Sequence, residues 1–64
     1  MIKINGVSVD ADQKTIAQYL ETTDFDPQRI AVERNGDIVF KSEYETTVLQ
    51  DGDTVEIVGF VGGG

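Results

Sequence analysis

The chain contains no cysteine and no histidine. Disulfides and thiolate sites are therefore excluded, and transition metals and nucleophile–base pairs lose their usual side chains. Its only serines are Ser8 and Ser42, and neither sits in a nucleophile-elbow pattern. No apolar run approaches the roughly 20 residues of a membrane span, and nothing resembles a signal peptide. A cytoplasmic location, away from membranes, is the default expectation. Length is short too: 64 residues make one domain with one small core. A domain of this size hides only about 60% of the surface its unfolded chain exposes, so no deep catalytic pocket is expected. Basic residues are scarce, five Lys and Arg against twelve Asp and Glu, for a net charge of −7. Such a surface repels nucleic acid and anionic lipid and favours a basic protein partner. The same acidity also serves plain solubility.

What the chain does have is a run of three glycines, Gly62-Gly63-Gly64, directly after the apolar-rich stretch 55–61. Glycine lacks Cβ and gains nothing by packing, so this tail is expected to hang free and to fit a channel too narrow for other residues. A tail ending at Gly64 presents one reactive group, the terminal carboxylate, ionised at neutral pH with a reference pKa of roughly 3.5. It can attack an electrophile such as the α-phosphate of ATP. The competing reading of the same glycines is a frayed end or linker. On the first reading the chain is no enzyme, and it brings a reacting group to another protein's active site.

Two Asn-Gly pairs organise the middle of the sequence. Ile2, Ile4, Val7 and Val9 flank Asn5-Gly6, where a two-residue turn needs φ > 0 at both positions. The turn pairs Ile4 with Val7 and Ile2 with Val9, and puts all four on one face. The second hairpin joins 29–34 to 37–41 across Asn35-Gly36 and pairs Val32 with Val39. Ile30, Val32 and Val39 then face a core, while Ala31, Ile38 and Phe40 fall on the opposite face. Between the hairpins Thr15 and Gln18 form a capping box, and Ile16, Tyr19 and Leu20 make a narrow apolar helical stripe. Ala17 widens the stripe, Phe25 tucks beneath the following loop, and Pro27 prevents continuation.

Residues 42–50 read as a connecting turn with a short extended piece at Val48-Leu49. Asp51-Gly52-Asp53 reads as a tight turn, with spacing that does not match a calcium loop. The last strand runs from Thr54 to about Phe60. If Val55 and Ile57 face the helix, Val58 and Phe60 face away and join Ala31, Ile38 and Phe40 on an open face. A contiguous exposed apolar patch on a small acidic domain marks a binding surface.

The order strand, strand, helix, strand, strand, strand fits an α+β fold with one helix on one face of a mixed sheet. The first and last strands pair in parallel through a long crossover. That is the β-grasp, or ubiquitin-like, arrangement, with 1–61 as the domain and 62–64 as the tail.

Over nearly its whole length the chain resembles the ThiS family of small sulfur carriers of thiamine thiazole biosynthesis. The resemblance lies in Ile2-Lys3-Ile4-Asn5-Gly6, in Val32-Glu33-Arg34-Asn35-Gly36-Asp37-Ile38-Val39 and in Asp51-Gly52-Asp53. It is strongest in Val55-Glu56-Ile57-Val58-Gly59-Phe60-Val61-Gly62-Gly63-Gly64. The final Gly-Gly is shared with MoaD-type carriers and ubiquitin-like modifiers, which stay open as alternatives, as does an interaction module with no terminal chemistry.

The resemblance implies a cycle. A ThiF-like adenylyltransferase binds the open face through Ile38, Phe40, Val58 and Phe60 and threads Val61, Gly62 and Gly63 toward its ATP. The Gly64 carboxylate becomes an acyl adenylate. A sulfurtransferase or cysteine desulfurase replaces AMP with sulfur, and a ThiG-like thiazole synthase takes sulfur from the resulting thiocarboxylate. No cofactor is held by the carrier itself; ATP is consumed by its activating partner.

Overall fold

The computed structural model describes residues 1–59; the expectations for Phe60, Val61, Gly62, Gly63 and Gly64, and so for the 62–64 tail, lie outside the described residues. Five strands form one mixed sheet: β1 (Ile2–Ile4), β2 (Val7–Val9), β3 (Ile30–Arg34), β4 (Asp37–Val39) and β5 (Thr54–Gly59). Their order across the sheet is β2-β1-β5-β3-β4. Among the described residues a single α-helix, α1 (Ile16–Leu20), packs on one face. This is the β-grasp architecture expected from the order of elements.

Both hairpins take the expected register, with Ile2 opposite Val9, Ile4 opposite Val7 and Val32 opposite Val39. Asn5 and Asn35 adopt φ of 51° and 52°, and Gly6 and Gly36 follow at 83° and 88°. These are the left-handed values that a two-residue turn between right-twisted strands demands. The first and last strands pair in parallel, Lys3 with Thr54 and Ile4 with Val55. The expected strand limits shift slightly: β4 ends at Val39, and short 3-10 turns occupy Pro27–Arg29 and Lys41–Glu43.

The helix begins as its sequence dictates. Gln18 N–H donates to Thr15 Oγ1 at 3.1 Å, and Thr15 N–H donates to Gln18 Oε1 at 2.8 Å. It ends where Thr22 and Thr23 turn their hydroxyls back onto the carbonyls of Tyr19 and Leu20, at 2.7 and 2.8 Å. Ile16 and Leu20 are buried, and Ala17, Tyr19 and Phe25 pack around them.

The core also takes Tyr44 and Leu49 from the segment read as a connecting turn with a short extended piece at Val48-Leu49, where Val48 forms an antiparallel bridge with Thr15. A helix start leaves N–H groups without partners. Here Ile16 N–H donates to the Thr47 carbonyl at 3.0 Å and Ala17 N–H to the Tyr44 carbonyl at 2.8 Å. Leu49 pairs in both directions, its N–H donating to Lys14 at 2.8 Å and its carbonyl accepting from Gln13 at 2.9 Å. The segment therefore seals the front of the helix. Val7 corrects the expectation for the first hairpin. Its register puts it on the core face, yet it is 63% exposed, on an edge strand beside the turn.

Candidate functional site: the open sheet face and the end of the last strand

The sheet face away from α1 carries the apolar residues that alternation assigns to it. Ile38, Phe40 and Val58 are 65%, 66% and 59% exposed. Val58 lies opposite Ala31 on β3. Phe40 follows β4 directly, at the head of the 3-10 turn, where its N–H donates to Glu43 Oε1 at 3.3 Å. Ile38 lies opposite Glu33. The three residues thus sit on the β5-β3-β4 side of the sheet, next to the strand that leads out at Gly59.

The same face holds a pair that pattern reading missed. Glu33 on β3 stands directly opposite Glu56 on β5, and both are exposed. Like charges in register repel. Joining two strands that no short turn connects, this pairing leaves no local mark in the sequence.

Strand β5 is fixed with particular care. Its rungs toward β1 run through Asp53, Val55 and Ile57. Lys3 N–H donates to the Asp53 carbonyl and Asn5 N–H to the Val55 carbonyl, each at 2.9 Å. At Ile57 the β1 backbone has already turned away, and the Asn5 side chain takes its place. Asn5 Nδ2 donates to the Ile57 carbonyl at 3.1 Å, and Ile57 N–H donates to Asn5 Oδ1 at 2.8 Å. A side-chain amide here stands in for a peptide group. The other turn asparagine does a related job at the opposite end. Asn35 Oδ1 accepts from Thr54 N–H at 2.9 Å, and Asn35 N–H donates to the Thr54 carbonyl at 2.7 Å. Residue type alone pointed only to their positive φ.

The two carboxylates of Asp51-Gly52-Asp53 do not converge on a shared site. The Asp51 carboxylate accepts a hydrogen bond from the Met1 ammonium, which holds its pKa below the ordinary value. Asp53 is buried and accepts from Arg34 Nε, Asn35 Nδ2 and Gln50 N–H. Burial pushes its carboxyl up, but the hydrogen bonds from Gln50, Asn35 and Arg34 outweigh that and leave its pKa below the ordinary value. No group of His, Cys, Asp or Glu among the described residues is arranged to hold a metal ion. No described helix is long and apolar enough to cross a membrane. On the helix side a cleft of about 260 Å³ opens beside Leu20, Pro27 and Tyr44. Of the described residues expected to bind a partner, Ile38, Phe40 and Val58, none lines it.

The chain's relatives fit this geometry. The ThiS family model matches residues 2–64. The "sulfur carrier protein ThiS" of Bacillus subtilis is 39% identical over 66 residues, spanning all of both chains. A crystal structure titled as the thiamine biosynthesis protein ThiS of Geobacter metallireducens superposes with a TM-score of 0.79 at 30% identity, covering 98% of this chain and 97% of that one. A thiazole synthase of Magnetococcus marinus is 39% identical over 64 residues, of which this chain spans only 20% of the relative's length. One from Paramagnetospirillum magneticum is 46% identical over 50 residues, 15% of its length. With a family model matched nearly end to end and a full-length relative at this identity, the chain belongs to the ThiS family.

Proposed function

We infer that this protein carries sulfur, as a thiocarboxylate on Gly64, to the synthesis of the thiamine thiazole. The observation that carries the reading is the match to the Bacillus sulfur carrier over the full length of both chains. The residues add a chemical reason. Without cysteine, and with Met1 only a thioether, the chain can hold transferable sulfur covalently only at a terminus.

In the proposed cycle a ThiF-like adenylyltransferase docks on the open sheet face at Ile38, Phe40 and Val58, with Phe60. Val61, Gly62 and Gly63 enter its channel. A Gly64 carboxylate oxygen attacks the α-phosphate of ATP, pyrophosphate leaves, and an acyl adenylate forms. The terminal sulfur of a persulfide, carried by a sulfurtransferase or cysteine desulfurase, then attacks the acyl carbon and AMP leaves. A thiol cleaves the acyl disulfide so formed, and the thiocarboxylate remains. A thiazole synthase consumes it; two relatives bearing that name contain a segment similar to this chain. The carrier supplies the carboxylate and the docking face, and its partners supply the chemistry. The domain 1–61 and the tail 62–64 divide these two tasks between them.

Intact mass spectrometry tests the reading. After incubation with the activating enzyme, ATP and a persulfide source, the chain should gain the mass difference of sulfur for oxygen. A chain attached to lysines of other proteins would instead show a modifier, and an unchanged mass would show an interaction module.

A further inference from the structure

We propose that Asn5 is a positioning residue: its side-chain amide fixes the end of β5 and so sets the direction in which the C-terminal arm leaves the domain. The proposal rests on the carrier reading above, because only there does the direction of the arm matter.

The β1 backbone reaches no farther along β5 than Val55. Beyond it, toward β1, Ile57 is held by the two Asn5 amide bonds alone, at 2.8 and 3.1 Å. On the other side β3 pairs with β5 as far as Gly59. A strand end held on one edge can twist about that edge, and one held on both cannot. Asn5 supplies the second edge two residues before Gly59. A turn position with φ of 51° is open to glycine, aspartate or asparagine. Of these, only the amide offers both a donor and an acceptor, one for the C=O and one for the N–H of Ile57.

Five residues follow Gly59. Extended, they reach at most about 17 Å. Where a partner's channel holds those residues extended, a tilt of about 10° at their base would move the far end by about 3 Å, enough to take a reacting carboxylate out of line with its target. Docking on the sheet face would be untouched.

The two asparagines provide their own control. Asn5→Gly and Asn35→Gly both preserve a positive-φ turn and both remove a side-chain clamp on β5. Only the first frees the end next to the arm. In the isolated protein, Asn5→Gly should speed amide exchange at Ile57 by about tenfold more than at Val32, since Ile57 N–H loses its partner. In adenylation, read by ATP–pyrophosphate exchange with a ThiF-like enzyme, Asn5→Gly should lower kcat about tenfold while KM for the carrier stays within about twofold. Asn5→Asp keeps the acceptor for Ile57 N–H but loses the donor, and should fall between. Asn35→Gly should leave kcat unchanged.

Equal kcat losses in the two glycine variants would overturn the proposal, as would a normal kcat in Asn5→Gly. Ile57 exchange that tracks Val32 would also overturn it. If the wild-type chain is never adenylated, the carrier reading fails instead. The exchange data then still decide whether Asn5 holds the end of β5.

Discussion

Arg34 Nε donates to the Asp53 carboxylate at 2.7 Å, across 19 residues of sequence. This contact pins the second hairpin to the start of β5. The same carboxylate accepts from Gln50 N–H at 2.9 Å and Asn35 Nδ2 at 3.0 Å. Three donors on one buried carboxylate make its ionised form part of the fold. Its pKa lies below the ordinary value when folded, so its contribution is complete above the unfolded carboxylate pKa of about 3.9. The contribution is lost as the pH falls from there through the lower folded value. Asp53→Asn should cost about 1–3 kcal/mol at neutral pH. That gap to wild type should narrow as urea melts are repeated at pH values falling below about 4. A gap independent of pH would mean that the carboxylate is not what stabilises this corner.

Neighbouring residues on β5 should respond very differently to truncation. Ile57 is 5% exposed and Val58 is 59% exposed. Ile57→Ala should cost about 2–5 kcal/mol, a large share of a small domain's stability. Val58→Ala should cost less than about 1 kcal/mol. Denaturant melts of the two variants measure the difference, and similar losses would contradict the register of the strand.

Three glycines should give three different answers to alanine. Gly36 has φ of 88°, so Gly36→Ala should cost about 1–2 kcal/mol from backbone strain alone. At Gly59 an added Cβ meets nothing within 4 Å, and φ is not in the left-handed region. Gly59→Ala should therefore be neutral or stabilise by up to about 1 kcal/mol. On the carrier reading, Gly63→Ala should leave the Tm unchanged and slow adenylation, because a Cβ would obstruct a channel shaped for glycine. Thermal melts and ATP–pyrophosphate exchange separate the three.

The open face should trade stability for binding. Glu33→Gln relieves the repulsion with Glu56 and should stabilise the domain by about 0.2–1 kcal/mol. If a basic partner docks there, the same change should lower the association rate, and rising salt should mimic it in wild type. Phe40→Ala and Phe60→Ala would instead remove the aromatic anchors proposed for that docking. An anchor carrying about 2 kcal/mol should raise the dissociation rate tens of fold when lost. Surface plasmon resonance against the adenylyltransferase reads both rates, and wild-type kinetics in all three variants would move the docking site elsewhere.

The sequence disclosed the elements that local rules control. Asn5-Gly6 and Asn35-Gly36 set both hairpin registers, because a two-residue turn permits only one pairing. The open face was legible because Ile38, Phe40 and Val58 are out of phase with the buried Val39 and Ile57. What stayed hidden was decided between distant segments. Tyr44 and Leu49 lie in a stretch with no period of its own, and their burial follows from the helix needing carbonyls at its start. Asp53 reads as a turn residue until Arg34 arrives beside it. Val7 alternates like a core residue, yet on an edge strand it stays in water.

β5 comes last in chain order among the described strands, yet it lies in the middle of the sheet. Sheet assembly therefore cannot finish until residues 54–59 have left the ribosome, since neither β1 nor β3 has another neighbour on its inner edge. A chain cut short before this strand is two unjoined hairpins and a short helix, which is fodder for proteases. A partner that recognises the assembled sheet face thus engages only chains translated through β5.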